Sequence, residues 1–350
     1  MALTPLLPIR HRQGDFFIAE IFDNLPYKDD LGSMEHPLFT LSLKPDMRIL
    51  RYQNGAASIE MQPSAFGLPN IMDKDVLLYC ASIIMARINA GETPPQTMRL
   101  SLHDLLVATN RHTNDRGYKY LKLSLNRLAG CLLKTSIKTG RVEQGEMFHL
   151  IERVKYLEST RVKGRILGVE VMLSDWFYNS LIAKEVLTID KEYFRLRKPL
   201  ERRTYEIARK HCGRKRKPWP IGLDKLHLKS GSTARLNHFR DTVKKLAKSD
   251  HLPEYSLSFD TTKDLVTFLY RGNAVDFEEE QFDLFGETAP PAVPINLPPD
   301  LLEDARAVVG TKFDYYELWK QYRSWEGSSK ARDLRAGFIG FCKQKATVTR

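Results

Sequence analysis

Arg235, Asn237, His238, Arg240, Lys244 and Lys245 stand in one short stretch, preceded by Ser232 and Thr233. Their side chains suit the chemistry of reading a DNA duplex. A guanidinium can bond guanine O6 and N7 together, and a carboxamide can bond adenine N6 and N7. An ammonium neutralises phosphate, which positions a protein without specifying a sequence. No bond is broken in such chemistry. Leu236, Phe239, Val243 and Leu246 recur at helical spacing, so the polar residues lie off an apolar stripe. The spacing predicts a helix over 232–248, with Ser232 or Thr233 as its cap. Leu252-Pro253 ends it, and two alternating runs follow, Tyr255–Phe259 and Leu265–Tyr270, around the polar tip Asp260-Thr261-Thr262-Lys263-Asp264. A basic helix followed by such a hairpin is the core of a winged helix. The plain alternative is a solvated helix packed on a hairpin. On the first reading Arg235 and Asn237 meet base edges, and Ser232, Thr233, His238, Arg240, Lys244, Lys245 and Lys263 complete the DNA face.

A second basic stretch lies just upstream. Between Arg195 and Lys217 there are eleven Lys or Arg residues against Glu201 and Glu206, in a chain whose net charge is +11. Arg202, Arg203, Arg214, Lys215, Arg216 and Lys217 are therefore expected at phosphates. From Asp276 to Asp304 the balance reverses, with acidic residues and no Lys or Arg.

These residues need elements to hold them. Residues 1–70 mix short apolar runs with turns and read as an extension packed on the first module. A helix is expected over 74–90, capped by Asp73 and closed by Gly91, with Asp75 in its first turn. A short helix follows from Ser101, then a third over 118–129 with Leu121, Leu125 and Leu128 inward. Cys131–Lys138 and Glu146–Tyr156 read as paired strands. Three helices and a hairpin again suggest a winged helix, over 71–190, with Lys119, Lys122, Ser124 and Arg127 on its outward side and Arg116, Lys119, Lys122 and Arg127 expected at DNA. The order repeats over 191–273: Pro199 opens a helix to Cys212, Leu223–Leu228 is a short second helix, and the basic helix is the third. Residues 274–299 form an acidic, Pro-rich linker, and 300–350 pattern as a small all-α module. The expected class is α+β, with two tandem winged helices, a linker and a helical tail.

Several runs resemble, in order, the replication initiator protein A family of bacterial plasmids. They are Asp15-Phe16-Phe17-Ile18-Ala19-Glu20-Ile21-Phe22, Lys28-Asp29-Asp30, Ser33-Met34-Glu35-His36-Pro37-Leu38-Phe39, Pro63-Ser64-Ala65-Phe66-Gly67-Leu68-Pro69 and Asp73-Lys74-Asp75-Val76-Leu77-Leu78-Tyr79. The resemblance runs from about Asp15 to Arg271. It implies a protein that binds repeated double-stranded DNA sites at a plasmid origin, helps open the duplex and recruits an initiator ATPase and helicase. It further implies that the second module holds the repeated site, while the first adds DNA contacts and homodimer formation. In the linker, Gln281-Phe282-Asp283-Leu284-Phe285 resembles the short peptide by which bacterial replication proteins dock on the sliding clamp. Gln281, Leu284 and Phe285 would fill its pockets; Phe282 departs from the usual Leu. A transcriptional repressor is the rival reading, since it would share both winged helices.

Other chemistries find little support. Gly140-Arg141-Val142-Glu143-Gln144-Gly145 has the glycine spacing of a phosphate loop, but Glu146 and Met147 replace the Lys and Ser/Thr it needs. Cys80, Cys131, Cys212 and Cys342 form no C-x-x-C pair, so neither a zinc site nor a disulfide frame is expected. No apolar run reaches the roughly 18 residues of a membrane span, and the N-terminus lacks a secretory pattern. The expectation is a cytoplasmic, DNA-associated binding protein with no catalytic residue, metal or cofactor.

Overall fold

The computed structural model describes residues 6–11, 26–54, 57–139, 142–158, 166–215, 217–272, 301, 305, 315–324 and 334–348. The protein is of the α+β class and divides into two units, Met1–Glu279 and Glu280–Arg350. Asp15–Phe22, Gly140, Arg141, Arg216 and the clamp-like Gln281, Leu284 and Phe285 lie outside the described residues.

In the first unit, β1 (Tyr27–Asp30) leads into α1 (Leu31–Glu35), and β2 (Leu50–Asn54) and β3 (Ala57–Gln62) form a hairpin. There follow α2 (Asp75–Asn89), β4 (Thr97–Leu100), α3 (Leu102–Ala108), α4 (Asp115–Gly130), β5 (Leu132–Thr139), β6 (Val142–Phe148), β7 (Ile151–Glu158) and β8 (Ile166–Leu173). Then come α5 (Asp175–Ile182) and β9 (Val186–Ile189). The last stretch is α6 (Pro199–His211), β10 (Trp219–Gly222), α7 (Leu223–Ser230), α8 (Leu236–Ser249), β11 (Tyr255–Asp260) and β12 (Leu265–Tyr270). Short polar side chains start three helices of the first half. Ser101, Asn114 and Ser174 accept from the amides of Asp104, Gly117 and Phe177 at the heads of α3, α4 and α5. Pro199 opens α6, where the Glu201 carboxylate accepts from the Lys198 amide at 3.0 Å.

The same connectivity is used twice. Helix, strand, helix, helix and hairpin form a three-stranded antiparallel sheet in which the hairpin's second strand is central: β4-β8-β7 first, then β10-β12-β11. In the first copy a second hairpin, β5–β6, is inserted between α4 and β7. It joins β2–β3 in the four-stranded sheet β2-β3-β5-β6. The expected strand Glu146–Tyr156 is thus two strands in two sheets, broken at His149-Leu150. β4 and β10 were not expected. Each has four residues, and β10 contains Pro220, which an edge strand tolerates.

Two hydrophobic cores follow the two copies. The first gathers α2, α3, α4 and α5 around Ile84, Leu105, Leu121, Leu125, Val171 and Phe177. The second centres on Tyr205, Phe239, Val243, Tyr255, Val266 and Phe268, and it includes Tyr27, Met34 and Leu78 from far upstream. In the second unit, α9 (Tyr315–Ser324) and α10 (Leu334–Val348) bury Trp319, Tyr322, Phe338 and Phe341, with Trp319 and Phe338 edge to face at 4.8 Å. No helix among the described residues is long and apolar enough to cross a membrane.

One turn is set by a glycine. A Cβ at Gly117, in the first turn of α4, would run into the carbonyl oxygen of His112. Gly117→Ala is expected to cost about 1–3 kcal/mol through overpacking of this turn. A thermal melt of the variant checks this, and an unchanged midpoint would contradict it.

Candidate nucleic-acid interface

The stripe expected in α8 is the face it buries: Phe239, Val243 and Leu246 are covered, while Asn237, His238, Lys244 and Lys245 are exposed. The helix starts later than the sequence suggests. Arg235 occupies the capping position, and no side chain caps the helix. Ser232 and Thr233 instead lie in the preceding turn, where Ser232 Oγ accepts from the Ala234 amide at 3.3 Å. Thr233 Oγ1 accepts from Arg48 Nη2 at 3.5 Å, which brings the 42–49 loop beside the start of α8.

Arg240 has a different position from its neighbours. Its guanidinium donates to both Asp264 oxygens, at 3.0 and 2.5 Å, and to Asn237 Oδ1 at 3.1 Å. It joins the basic helix to the tip of the hairpin rather than standing free. The Asp264 carboxyl is held below the usual carboxylate range by these bonds. At the tip, Asp260 Oδ1 accepts from the amides of Thr262 and Lys263, leaving the Lys263 side chain exposed. Asp264 was read as part of a polar tip. Its role as a brace depends on the hairpin folding back on α8, which spacing alone does not reveal.

On α4 of the first copy, Leu121, Leu125 and Leu128 are buried and Lys119 is exposed. The exposed Arg116 lies 5.4 Å over the Tyr120 ring. Lys122 is half-buried, its ammonium 5.7 Å from the Tyr156 ring centre. Arg127 points the other way. It makes two 2.7 Å bonds to Asp73, which also accepts from Ser124 at 2.6 Å. The expected helix cap at Asp73 is accordingly absent, because its carboxylate is used to anchor α4; Lys74 stands at the capping position of α2. The i, i+4 spacing of Arg116 and Tyr120 was available in the sequence and was missed.

The basic run splits in two. Lys215 and Lys217 are exposed, and Arg214 pairs with Glu254 at 3.2 Å. Arg202 and Arg203, expected at phosphates, are buried in α6. Arg202 donates to Asp75 Oδ1 at 2.5 Å, and its guanidinium lies 4.9 Å over the Tyr193 ring. Arg203 donates to Glu206 at 3.1 Å and to the carbonyls of Ser33, Glu35 and Lys229 at 2.8, 3.2 and 2.9 Å. Burying a guanidinium is tolerable only when carboxylates and carbonyls replace its water, and both side chains are matched in this way. Beside them Lys74, itself fully buried, bonds Asp29 at 2.8 Å and Glu206 at 3.1 Å. Burial raises the Asp29 carboxyl despite Lys74, with Glu206 and Asp30 adding to the shift.

A smaller charged group adjoins this one. Glu35 bonds Lys210, His211 and Lys229. Burial opposes ionisation there, but these partners outweigh it and hold the carboxyl well below its usual range. Burial, aided by Lys210, Arg203 and Lys229, lowers the His36 imidazole to about 4, with Glu35 opposing. A folded-state value below the unfolded one favours neutral His36 in the fold. The associated stability is full above the ordinary value near 6.5 and is lost as pH falls toward 4. The loss should be on the order of 3 kcal/mol. Urea unfolding at pH 7.0 and 4.5, with His36→Gln as the control, measures it. An equal drop in both proteins would rule His36 out as the source.

Exposed cations thus stand on α4, on α8, at the hairpin tip and at Lys215 and Lys217. Among the described residues no cluster of His, Cys, Asp or Glu could hold a metal ion. The family described as Replication initiator protein A matches residues 28–257, which takes in the first copy of the repeated connectivity and the second as far as the start of β11. The chain belongs to that family. A relative from Wigglesworthia glossinidia brevipalpis, described as "Putative replication protein", is 36% identical over 259 residues, covering 73% of this chain and 94% of its own. Among solved structures, domains 2 and 3 of RctB superpose on 68% of this initiator-family chain and 96% of theirs, with 13% identity and a TM-score of 0.48. A second structure of RctB domains 2–3 covers 66% of this chain and 92% of its own, with 14% identity and a TM-score of 0.46.

Proposed function

We propose that this chain is a plasmid-type replication initiator that binds repeated duplex sites at an origin through two winged helices. The observation that carries the reading is the twice-used connectivity, with the hairpin's second strand central in each sheet and an exposed basic helix ahead of each hairpin. A recognition helix fits the major groove, and the hairpin can reach adjacent phosphates. In the second copy Arg235 and Asn237 meet base edges, while Lys244, Lys245, Lys263, Lys215 and Lys217 meet backbone. In the first, Arg116 and Lys119 add contacts. The chemistry is binding, so origin opening and recruitment of an initiator ATPase, helicase and clamp follow from assembly on DNA, with the segment beyond Arg271 as the recruiting part.

Footprinting the purified protein on DNA around its own gene tests this. Several regularly spaced protected repeats beside an AT-rich segment are expected; protection of one promoter site alone would favour a repressor. On the protected site, Arg235→Ala should lose about 1–3 kcal/mol of discrimination against the wrong base. Lys215→Ala should weaken cognate and scrambled DNA alike. Equal losses on both DNAs for both variants would contradict this division of roles.

A further inference from the structure

Three consecutive buried charges open α2. Asp73 anchors α4 through Arg127 and Ser124. Lys74 reaches Glu206 at 3.1 Å, and Asp75 reaches Arg202 at 2.5 Å, both on α6. Arg203, next in α6, bonds the Lys229 carbonyl near the end of α7, the helix before α8. A continuous polar route therefore runs from α4, the basic helix of the first copy, to the frame that holds α8 in the second.

The order of signs in this route matters. Lys74 and Asp75 are adjacent at the start of α2, and their partners Glu206 and Arg202 are one helical turn apart on α6. The two pairs have opposite polarity. Sliding α6 by one turn would set Arg202 against Lys74, or Glu206 against Asp75, as buried like charges. Tyr27, Met34 and Leu78, which join the second core from upstream, carry no charge whose sign would oppose such a slide. Buried ion pairs are poor sources of stability, but they penalise wrong arrangements strongly.

We propose that the Asp73-Lys74-Asp75 segment with Arg202 and Glu206 is an orientation lock, whose side chains touch no DNA but fix α4 relative to α8 and so set the separation of the two DNA elements the protein reads. This rests on the proposed DNA-binding function. These are positioning residues for specificity: each basic helix selects its own base pairs, and the lock selects the number of base pairs between them.

The test is selection of binding sequences from a randomised duplex pool by the full-length protein, followed by a spacing series on the selected site. Wild type should yield two sequence elements at one separation. Inserting two base pairs turns one element by about 70° around the duplex and should lower affinity at least tenfold. The triple variant Lys74→Met/Asp29→Asn/Arg202→Met removes both cross-copy pairs. It leaves no carboxylate stranded, because Asp75 keeps Arg111 at 2.9 Å and Glu206 keeps Arg203 at 3.1 Å. It should enrich the same two elements over a spread of separations and lose less than about threefold on the insertion. If circular dichroism shows that the triple variant does not fold, Arg202→Met is read in the same way, with Arg202→Lys expected to restore much of the single separation. An identical separation profile in wild type and variants overturns the lock alone. So does a wild type that tolerates the insertion. No enrichment of any sequence by wild type overturns the DNA-binding function and the lock with it.

Discussion

Asp75→Ala is expected to lower the stability of the first unit by about 3–5 kcal/mol, the cost of removing one partner from a buried ion pair. The carboxylate is fully buried and serves two guanidinium groups, accepting from Arg111 at 3.0 and 2.9 Å and from Arg202 at 2.5 Å. Alanine would take the carboxylate from both cations, and Arg202, only 3% exposed, would keep just the carbonyls of Leu196 and Phe194. Against a typical domain stability of roughly 5–15 kcal/mol, that loss is about a fifth of the total or more. Arg202→Met should be far milder, because Asp75 retains Arg111 and the new side chain keeps the packing of the old stem. Urea titrations of the two variants measure the asymmetry. Equal midpoints for both would show that Asp75 is not the obligatory partner its geometry indicates.

Replacing Lys215, Lys217, Lys244 and Lys245 together by Gln should have the largest effect on DNA affinity. All four are exposed, and none lies among the buried groups that hold the two copies together. Each phosphate neutralised contributes about 0.9 to the slope of log affinity against log salt, so the slope should fall by roughly 3–4. Near 0.15 M salt this corresponds to a loss on the order of a thousandfold. The melting temperature should move little, since surface substitutions of this kind stay within about 0.5 kcal/mol. Titrations at several salt concentrations provide the slope. An unchanged slope would mean that these ammonium groups do not face the backbone.

Much of the second copy was legible because its signals are local. The Phe239, Val243 and Leu246 stripe marks the buried face of α8. The alternation of Tyr255 and Leu257 marks a strand whose partner, Leu265–Tyr270, lies a few residues away. The errors came from partners distant in sequence. Arg202 and Arg203 sit in a dense basic run and read as solvated, yet Arg202 meets Asp75 from 127 positions away. Arg240 reads like Lys244 until the hairpin brings Asp264 to it. Asp73 has the type and position of a helix cap, but Arg127 captures its carboxylate from 54 positions away. Four-residue strands such as Thr97–Leu100 carry too little alternation to stand out, and Glu146–Tyr156 hides a change of sheet inside one run of strand-forming residues.

The pairing of β1 with β9 bears on how the protein is made. Lys28 and Thr188 face each other across 160 positions. A nascent chain emerging at about 5–20 residues per second therefore carries its first strand without a partner for roughly 8–32 s. Tyr27 and Met34 wait longer still, because the core that receives them is completed only when Val266 and Phe268 have left the ribosome. The late closure of so long a loop makes the N-terminal segment one of the last parts to fold. Until then its apolar residues are open to chaperones, and the supply of active initiator follows the completion of whole chains.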